Sequence, residues 1–211
     1  MVSGCFRAPT GPQTSDVDTG HASFELRFPN PNSIHAIRAK VQVLNFQSAG
    51  CAANPSPTHA AAVIGGGFFN SGTPTPGDST GDVIVEINVA RLSNSTDGPQ
   101  VLEIFGSALQ CTNADCSTQT SLPGAPVPLG KIAVGASVRL FVAWDKPKKR
   151  FLFQRGINAM VTLPYGISDN AAPSNAFKRL GVVELVAACT SASRPAAMVN
   201  ALFDHVEVGT Q

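Results

Sequence analysis

The chain has 211 residues, with 15 Lys and Arg against 14 Asp and Glu, and a formal net charge of +1. That balance excludes a protein held to nucleic acid or anionic lipid by bulk charge, and no apolar run reaches the roughly 18–20 residues that cross a bilayer. The 19 Gly and 16 Pro exclude long helices, while 43% hydrophobic residues suffice for a sizeable core.

Alternation with a period of two recurs along the chain. Residues 24–28 put Phe24, Leu26 and Phe28 on one face and Glu25 and Arg27 on the other. Ile37, Ala39, Val41 and Val43 then alternate with Arg38, Lys40 and Gln42, until Asn45 breaks the pattern between Leu44 and Phe46, the mark of a bulge or a strand end. After a loop at 47–59, residues 60–69 read as a strand around Gly65-Gly66-Gly67, which suits close packing or a bend. Residues 70–81 are loop by turn chemistry.

The clearest strand follows, with Val83, Val85, Ile87 and Val89 facing one way and Asp82, Ile84, Glu86 and Asn88 the other. Residues 101–109 form a strand that ends at the loop from Cys111 to Cys116, and 117–130, with three prolines, reads as loop. Val138, Leu140, Val142 and Trp144 alternate with Arg139, Phe141 and Ala143; a charged turn at 145–149 leads back through 150–155 as a hairpin. Residues 179–188 and 199–208 are the last two strands. Nine or ten strands without repeat or linker make residues 1–211 a single domain. The strands must bury their apolar faces against each other, so the fold class is all-β, a two-sheet antiparallel sandwich.

Five cysteines bear on compartment. A Cys111–Cys116 disulfide would close a small ring if the Cα atoms lie within about 7 Å; the alternative is two reduced thiols in a cytosolic loop. Low charge and the spacing favour an oxidising compartment, extracellular or periplasmic. Zinc lacks a second ligand pair, and the pairing among Cys5, Cys51 and Cys189 stays open. Residues 1–4 show neither a charged nor an apolar signal region, so the chain reads as a mature portion or as part of a larger exported protein.

The hairpin from Val138 to Asp145 and from Arg150 to Gly156 resembles the central hairpin of concanavalin A-like lectin/glucanase jelly rolls. The ending Phe203-Asp204-His205-Val206-Glu207-Val208 is similar to the closing aromatic-Asp-Asn-Val-x-Val strand of such domains, with His205 in place of the Asn. The resemblance implies a jelly-roll fold and no particular activity. It also implies a role for Asp204, whose counterpart often holds a structural calcium near the N-terminal segment. Alternation places Asp204 on the face of Leu202, Val206 and Val208, where a carboxylate needs hydrogen bonds or a cation. Asp16, Asp18 and Glu25 are the available acidic partners; the other reading is a carboxylate that accepts backbone amides.

Catalytic patterns are weak. Gly77-Asp78-Ser79-Thr80-Gly81 fits G-x-S-x-G, but it lies in a loop and leads into a strand rather than a helix. Glycoside hydrolysis needs two carboxylates about 5–9 Å apart. The Glu-x-Asp-x-Glu of glucanases is absent, and Glu25, Glu103, Glu184 and Glu207 read as single glutamates on solvent faces. The four histidines have no ligand spacing.

Trp144 shares the apolar face of its strand and reads as core, whereas Tyr165 sits in a loop as a candidate exposed ring for stacking on a sugar. Arg38, Gln42, Glu86, Asn88, Arg139 and Gln154, with Lys40 and Arg150, form the outward polar set. If their strands are neighbours, they make one ligand-binding sheet surface; otherwise they are ordinary solvated positions. The expected function is a non-catalytic exported domain that binds a glycan, without certain cofactors beyond a candidate structural calcium. The alternatives are a structural or adhesion module that grips a protein, and a divergent glycoside hydrolase.

Overall fold

The computed structural model describes residues 6–7, 20–51, 57–186 and 196–210, with backbone alone for 6–7 and 20–22. Thirteen strands lie in these residues. They are β1 (Phe6–Arg7), β2 (Gly20–Arg27), β3 (Ile34–Ala49), β4 (His59–Asn70), β5 (Asp82–Leu92), β6 (Val101–Cys111) and β7 (Gln119–Ser121). The remainder are β8 (Val127–Ala133), β9 (Ser137–Asp145), β10 (Arg150–Arg155), β11 (Val161–Pro164), β12 (Lys178–Val186) and β13 (Ala196–Thr210).

Two antiparallel sheets form a sandwich. One has the order β1-β13-β3-β9-β10-β11; the other has β2-β12-β4-β5-β6-β7, with β8 also paired to β6. Alternation decides which side of each strand faces inward. Val83, Val85, Ile87 and Val89 of β5 are at most 2% exposed and pack in one core with Ile37, Ala39, Val41 and Val43 of β3. Burying such side chains stabilises by about 1.5–3 kcal/mol each. Aromatic rings fill one end: Phe69 lies parallel to Phe151 at 6.0 Å between centroids, with Trp144 at 5.2 Å and Tyr165 at 5.1 Å from it.

The charged turn after β9 is a short 3-10 segment at Lys146–Lys148, as the hairpin requires. Leu44 is the extra residue of a bulge in β3, because Asn200 pairs with Asn45 and Ala201 with Val43. The break at Asn45 is therefore a bulge, and β3 continues through it to Ala49. Residues 117–130, expected as loop, hold β7 and the start of β8, where Pro128 is tolerated on a sheet edge. The turn between β10 and β11 leaves Ile157 wholly bare at 101% exposure, with Met160 and Val161 also exposed.

Lys178 and Glu184 are among the charged side chains buried in the described residues. Lys178 is 1% exposed; its Nζ donates to the carbonyls of Gly67 and Pro31 and lies 4.4 Å from the centroid of Phe68. Among the described residues no carboxylate pairs with it, and burial pushes the amine down to about 7. Glu184, expected on a solvent face, is buried on the inner side of β12 in line with Leu180 and Val182. Its Oε1 accepts from the N–H of Val199 on β13, 3.0 Å away across the sandwich, and burial raises its pKa.

Candidate functional site

A groove of about 610 Å³ opens on the outer face of the seven-stranded sheet. Register lays out its floor in rows. One row crosses the sheet as Ser107, Glu86, Gly65, Arg179 and Arg27; the next runs Phe105, Asn88, Val63, Gly181 and Glu25; a third holds Glu103, Ala90, Ala61 and Val183. Ala61, Val63, Ala90 and Val183 form a second apolar cluster with Phe105 against it. The polar row of Ser107, Glu86 and Arg179 thus runs between Ile84 and Leu109 on one side and this apolar cluster on the other.

Gly65 explains the polar row. It has φ +144°, and a Cβ there would meet the Val85 carbonyl oxygen at 2.2 Å and Glu86 Cα at 2.7 Å. Without a side chain between them, Arg179 on β12 and Glu86 on β5 join across β4. Arg179 Nε donates to Glu86 Oε1 at 2.7 Å, and Nη1 donates to Glu25 Oε1. Arg27 Nε donates to Glu25 Oε2 at 2.7 Å, so positive and negative groups alternate along Arg27, Glu25, Arg179 and Glu86. Phe177 lies under both guanidinium groups, 5.6 Å from Arg27 and 5.2 Å from Arg179. Burial works against the charge of Arg179, but Glu86 and Glu25 outweigh it and raise its pKa. Burial likewise works against the Glu25 carboxylate, yet Arg179 and Arg27 hold its pKa below the ordinary value.

Asn88 Nδ2 donates to Ser107 Oγ at 3.0 Å, and Ser107 Oγ donates to the Glu86 carbonyl at 3.4 Å. At one end of the groove His59 is neutral, because burial pulls its pKa down to about 4. One wall is the disulfide loop. Cys111 and Cys116 are bonded with their Cα atoms 4.8 Å apart, and Cys116, Ser117, Gln119 and Ser121 face the groove. Asn113 stiffens the loop by donating through Nδ2 to Ser117 Oγ at 2.8 Å and accepting through Oδ1 from the Thr118 N–H at 3.0 Å. Cys51 is also disulfide-bonded; Cys5 and Cys189 lie outside the described residues.

The outward polar set divides between two faces. Glu86 and Asn88 lie in the groove. Arg38, Gln42, Arg139 and Gln154 belong to β3, β9 and β10, whose sheet is on the other side of the sandwich. There Arg38 lies 3.4 Å from Glu207 and over the ring of Phe141, Gln42 donates to the Gly135 carbonyl, and Gln154 donates to that of Asn158. Arg139 is exposed and directly opposite Lys40. The single shared surface fails because neighbouring positions in sequence order fall in different sheets.

Tyr165 is not an exposed ring. It is 7% exposed, its hydroxyl accepts from Trp144 Nε1 at 2.6 Å and donates to Asp169 Oδ2 at 2.7 Å, and burial raises its pKa. Its polar end is satisfied inside, so nothing holds the ring in water. Asp204 does not face the apolar side either. His205 has φ +49° and a register shift falls between Asp204 and Glu207, so Phe203 and Val206 face inward while the Asp204 side chain is 41% exposed. Its carboxylate accepts from the N–H of His205 and lies 2.9 Å from its Nδ1. Among the described residues no three His, Cys, Asp or Glu gather as metal ligands, and Asp16 and Asp18 lie outside those residues.

Sequence reading missed Arg179 as a site residue and took Glu25 for a solvent-face glutamate or an acidic partner of Asp204. The alternation of Arg179, Gly181, Val183 and Leu185 marks an outer face, but only the strand order shows that Gly65 separates Arg179 from Glu86.

No family model matches the sequence, and no curated protein matches it. Among solved structures the chain is similar to an alginate lyase from Klebsiella pneumoniae, with 11% identity and a TM-score of 0.40 over 84% of this chain. It spans 60% of that lyase's length. It is also similar to toad ovary galectin in complex with thio-digalactose, with 12% identity, a TM-score of 0.37, and 89% and 98% of the two chains covered. For the carbohydrate-binding module CBM66 from Bacillus subtilis the figures are 10% identity, 0.36, and 97% and 94%. The likeness is one of fold and carries no argument about ligand or reaction.

Proposed function

We propose that this chain is a non-catalytic, exported glycan-binding domain whose ligand lies in the groove over β12, β4, β5 and β6. The observation that carries this reading is the groove itself, about 610 Å³ in volume, with an apolar floor beside Glu86, Asn88 and Ser107. A sugar has the matching character, with apolar C–H faces and a rim of hydroxyls, and the volume is of the size that small-ligand sites have. Export is supported by the bonded Cys111 and Cys116.

A glycosidase would need one carboxyl kept protonated as its acid. Two carboxylates do approach the groove, Glu25 and Glu86, but both bind the guanidinium of Arg179, which favours the charged form of Glu25. Binding without turnover is the reading that fits. Titration on a glycan array, followed by calorimetry with the best ligand, tests it. Asn88→Ala should weaken that ligand by about tenfold, the effect of one or two lost hydrogen bonds. Binding unchanged in Asn88→Ala would move the ligand out of the groove. Repeating the titration with a chelator tests the calcium expectation.

A further inference from the structure

We infer that the groove selects neutral, hydroxyl-rich glycans and rejects polyuronates, because the Arg179 guanidinium on its floor is already clamped by two carboxylates. The inference rests on the proposed glycan reading and specifies its ligand class. Among the described residues lining the groove, Glu86 and Arg179 are the formally charged ones, and His59 is neutral. Arg179 could in principle grip a uronate carboxylate with two parallel N–H groups, the usual way an arginine holds such an anion. Its Nε is committed to Glu86 and its Nη1 to Glu25. The side chains of Arg179, Glu25 and Glu86 are only 13%, 11% and 9% exposed, so water screens this clamp little.

Taken along this chain of ion pairs, Arg27, Glu25, Arg179 and Glu86 sum to zero charge. An incoming carboxylate therefore meets a cation without charge to spare and, beside it, the carboxylate of Glu86. A hydroxyl meets the opposite situation. Among the described residues Glu86 Oε2 and Asn88 Oδ1 accept no hydrogen bond, and neither is sealed from solvent. The two residues are separated by one position on β5 and so share a face, offering two adjacent acceptors to O–H donors. Glu86 can thus recognise hydroxyls while it neutralises Arg179.

The experiment compares neutral gluco-, galacto-, manno- and xylo-oligosaccharides with oligogalacturonates and alginate oligomers, by calorimetry at 50 mM and 500 mM NaCl. A neutral ligand is expected to bind with its Kd changed less than twofold by salt, and the acidic set at least tenfold more weakly. An acidic oligomer that binds as tightly as the best neutral one, or a tenfold loss with salt, overturns the inference and leaves the glycan reading standing. Binding of neither set overturns both. Glu86→Gln releases one side of the clamp and should strengthen the acidic oligomers at least fivefold while weakening the neutral ligand. Glu25→Gln releases the clamp from the far side; it should strengthen the acidic oligomers likewise while leaving the neutral ligand unchanged, and it serves if the first variant melts early. Unchanged discrimination in a folded variant overturns the clamp as the cause.

Discussion

Among the described residues Lys178 meets no carboxylate in the core, and its titration is open to measurement. The folded amine has a pKa of about 7, whereas an unfolded lysine has about 10.4. Between those values the unfolded chain holds a proton that the folded chain has shed, so stability rises with pH, by up to about 1.4 kcal/mol per unit. Below pH 7 both states are charged and the full cost of burial is present. Shedding the proton leaves two N–H groups for the carbonyls of Gly67 and Pro31. Urea midpoints should therefore be higher at pH 9.5 than at pH 7 in the wild type and converge in Lys178→Met. Equal midpoints in the wild type would mean that the two carbonyls and the face of Phe68 keep the ammonium charged. Nothing in the sequence around Lys178 announces this, since a lysine at the head of a strand ordinarily points to water. Tyr165 and Asp204 misled in the same way: a loop position and a period-two count say nothing of a buried hydrogen-bond chain or of a bulge at His205.

Among the elements, β4 combines two demands that pull against each other. Its inner face fills the core with Ala60, Ala62 and Ile64, while Gly65 and Gly66 sacrifice intrinsic strand stability for close approach. Gly65→Ala forces a Cβ against the backbone of β5 at positive φ. It should cost more than about 2 kcal/mol, read as a lowered denaturant midpoint with unchanged slope. A loss of less than half that would mean that β4 and β5 can separate locally at little cost. The strands themselves were legible because alternation is a local signal. All nine expected strands have counterparts, and the bulge in β3 shows as two apolar residues around Asn45. The short strands β7 and β11 were not legible, being three and four residues long and stabilised by their neighbours rather than by their own pattern.

At the scale of the molecule, the information missing from the sequence is strand order. Glu86 and Asn88 could be placed on an outward face from residues 82–89 alone, but assigning Arg38 and Arg139 to the opposite sheet requires pairings between distant segments. The disulfide loop shows how local chemistry serves the whole. A ring of about six residues constrains the unfolded chain by only about 2 kcal/mol in the loop-entropy account, yet the loop supplies a wall of the groove. Replacing both Cys111 and Cys116 by Ala should lower stability by roughly that amount. Affinity for the best array ligand should fall at least fivefold. Affinity retained in full would mean that the Asn113 hydrogen bonds alone shape the wall.

The bare Ile157 in the turn between β10 and β11 has a practical corollary. That hairpin belongs to the six-stranded sheet and lends no side chain to the groove. A fluorophore or affinity handle spliced in at residues 157–159 would sit clear of the groove, and exchanging Ile157 for a hydrophilic residue would remove a sticky tip without disturbing any packed neighbour.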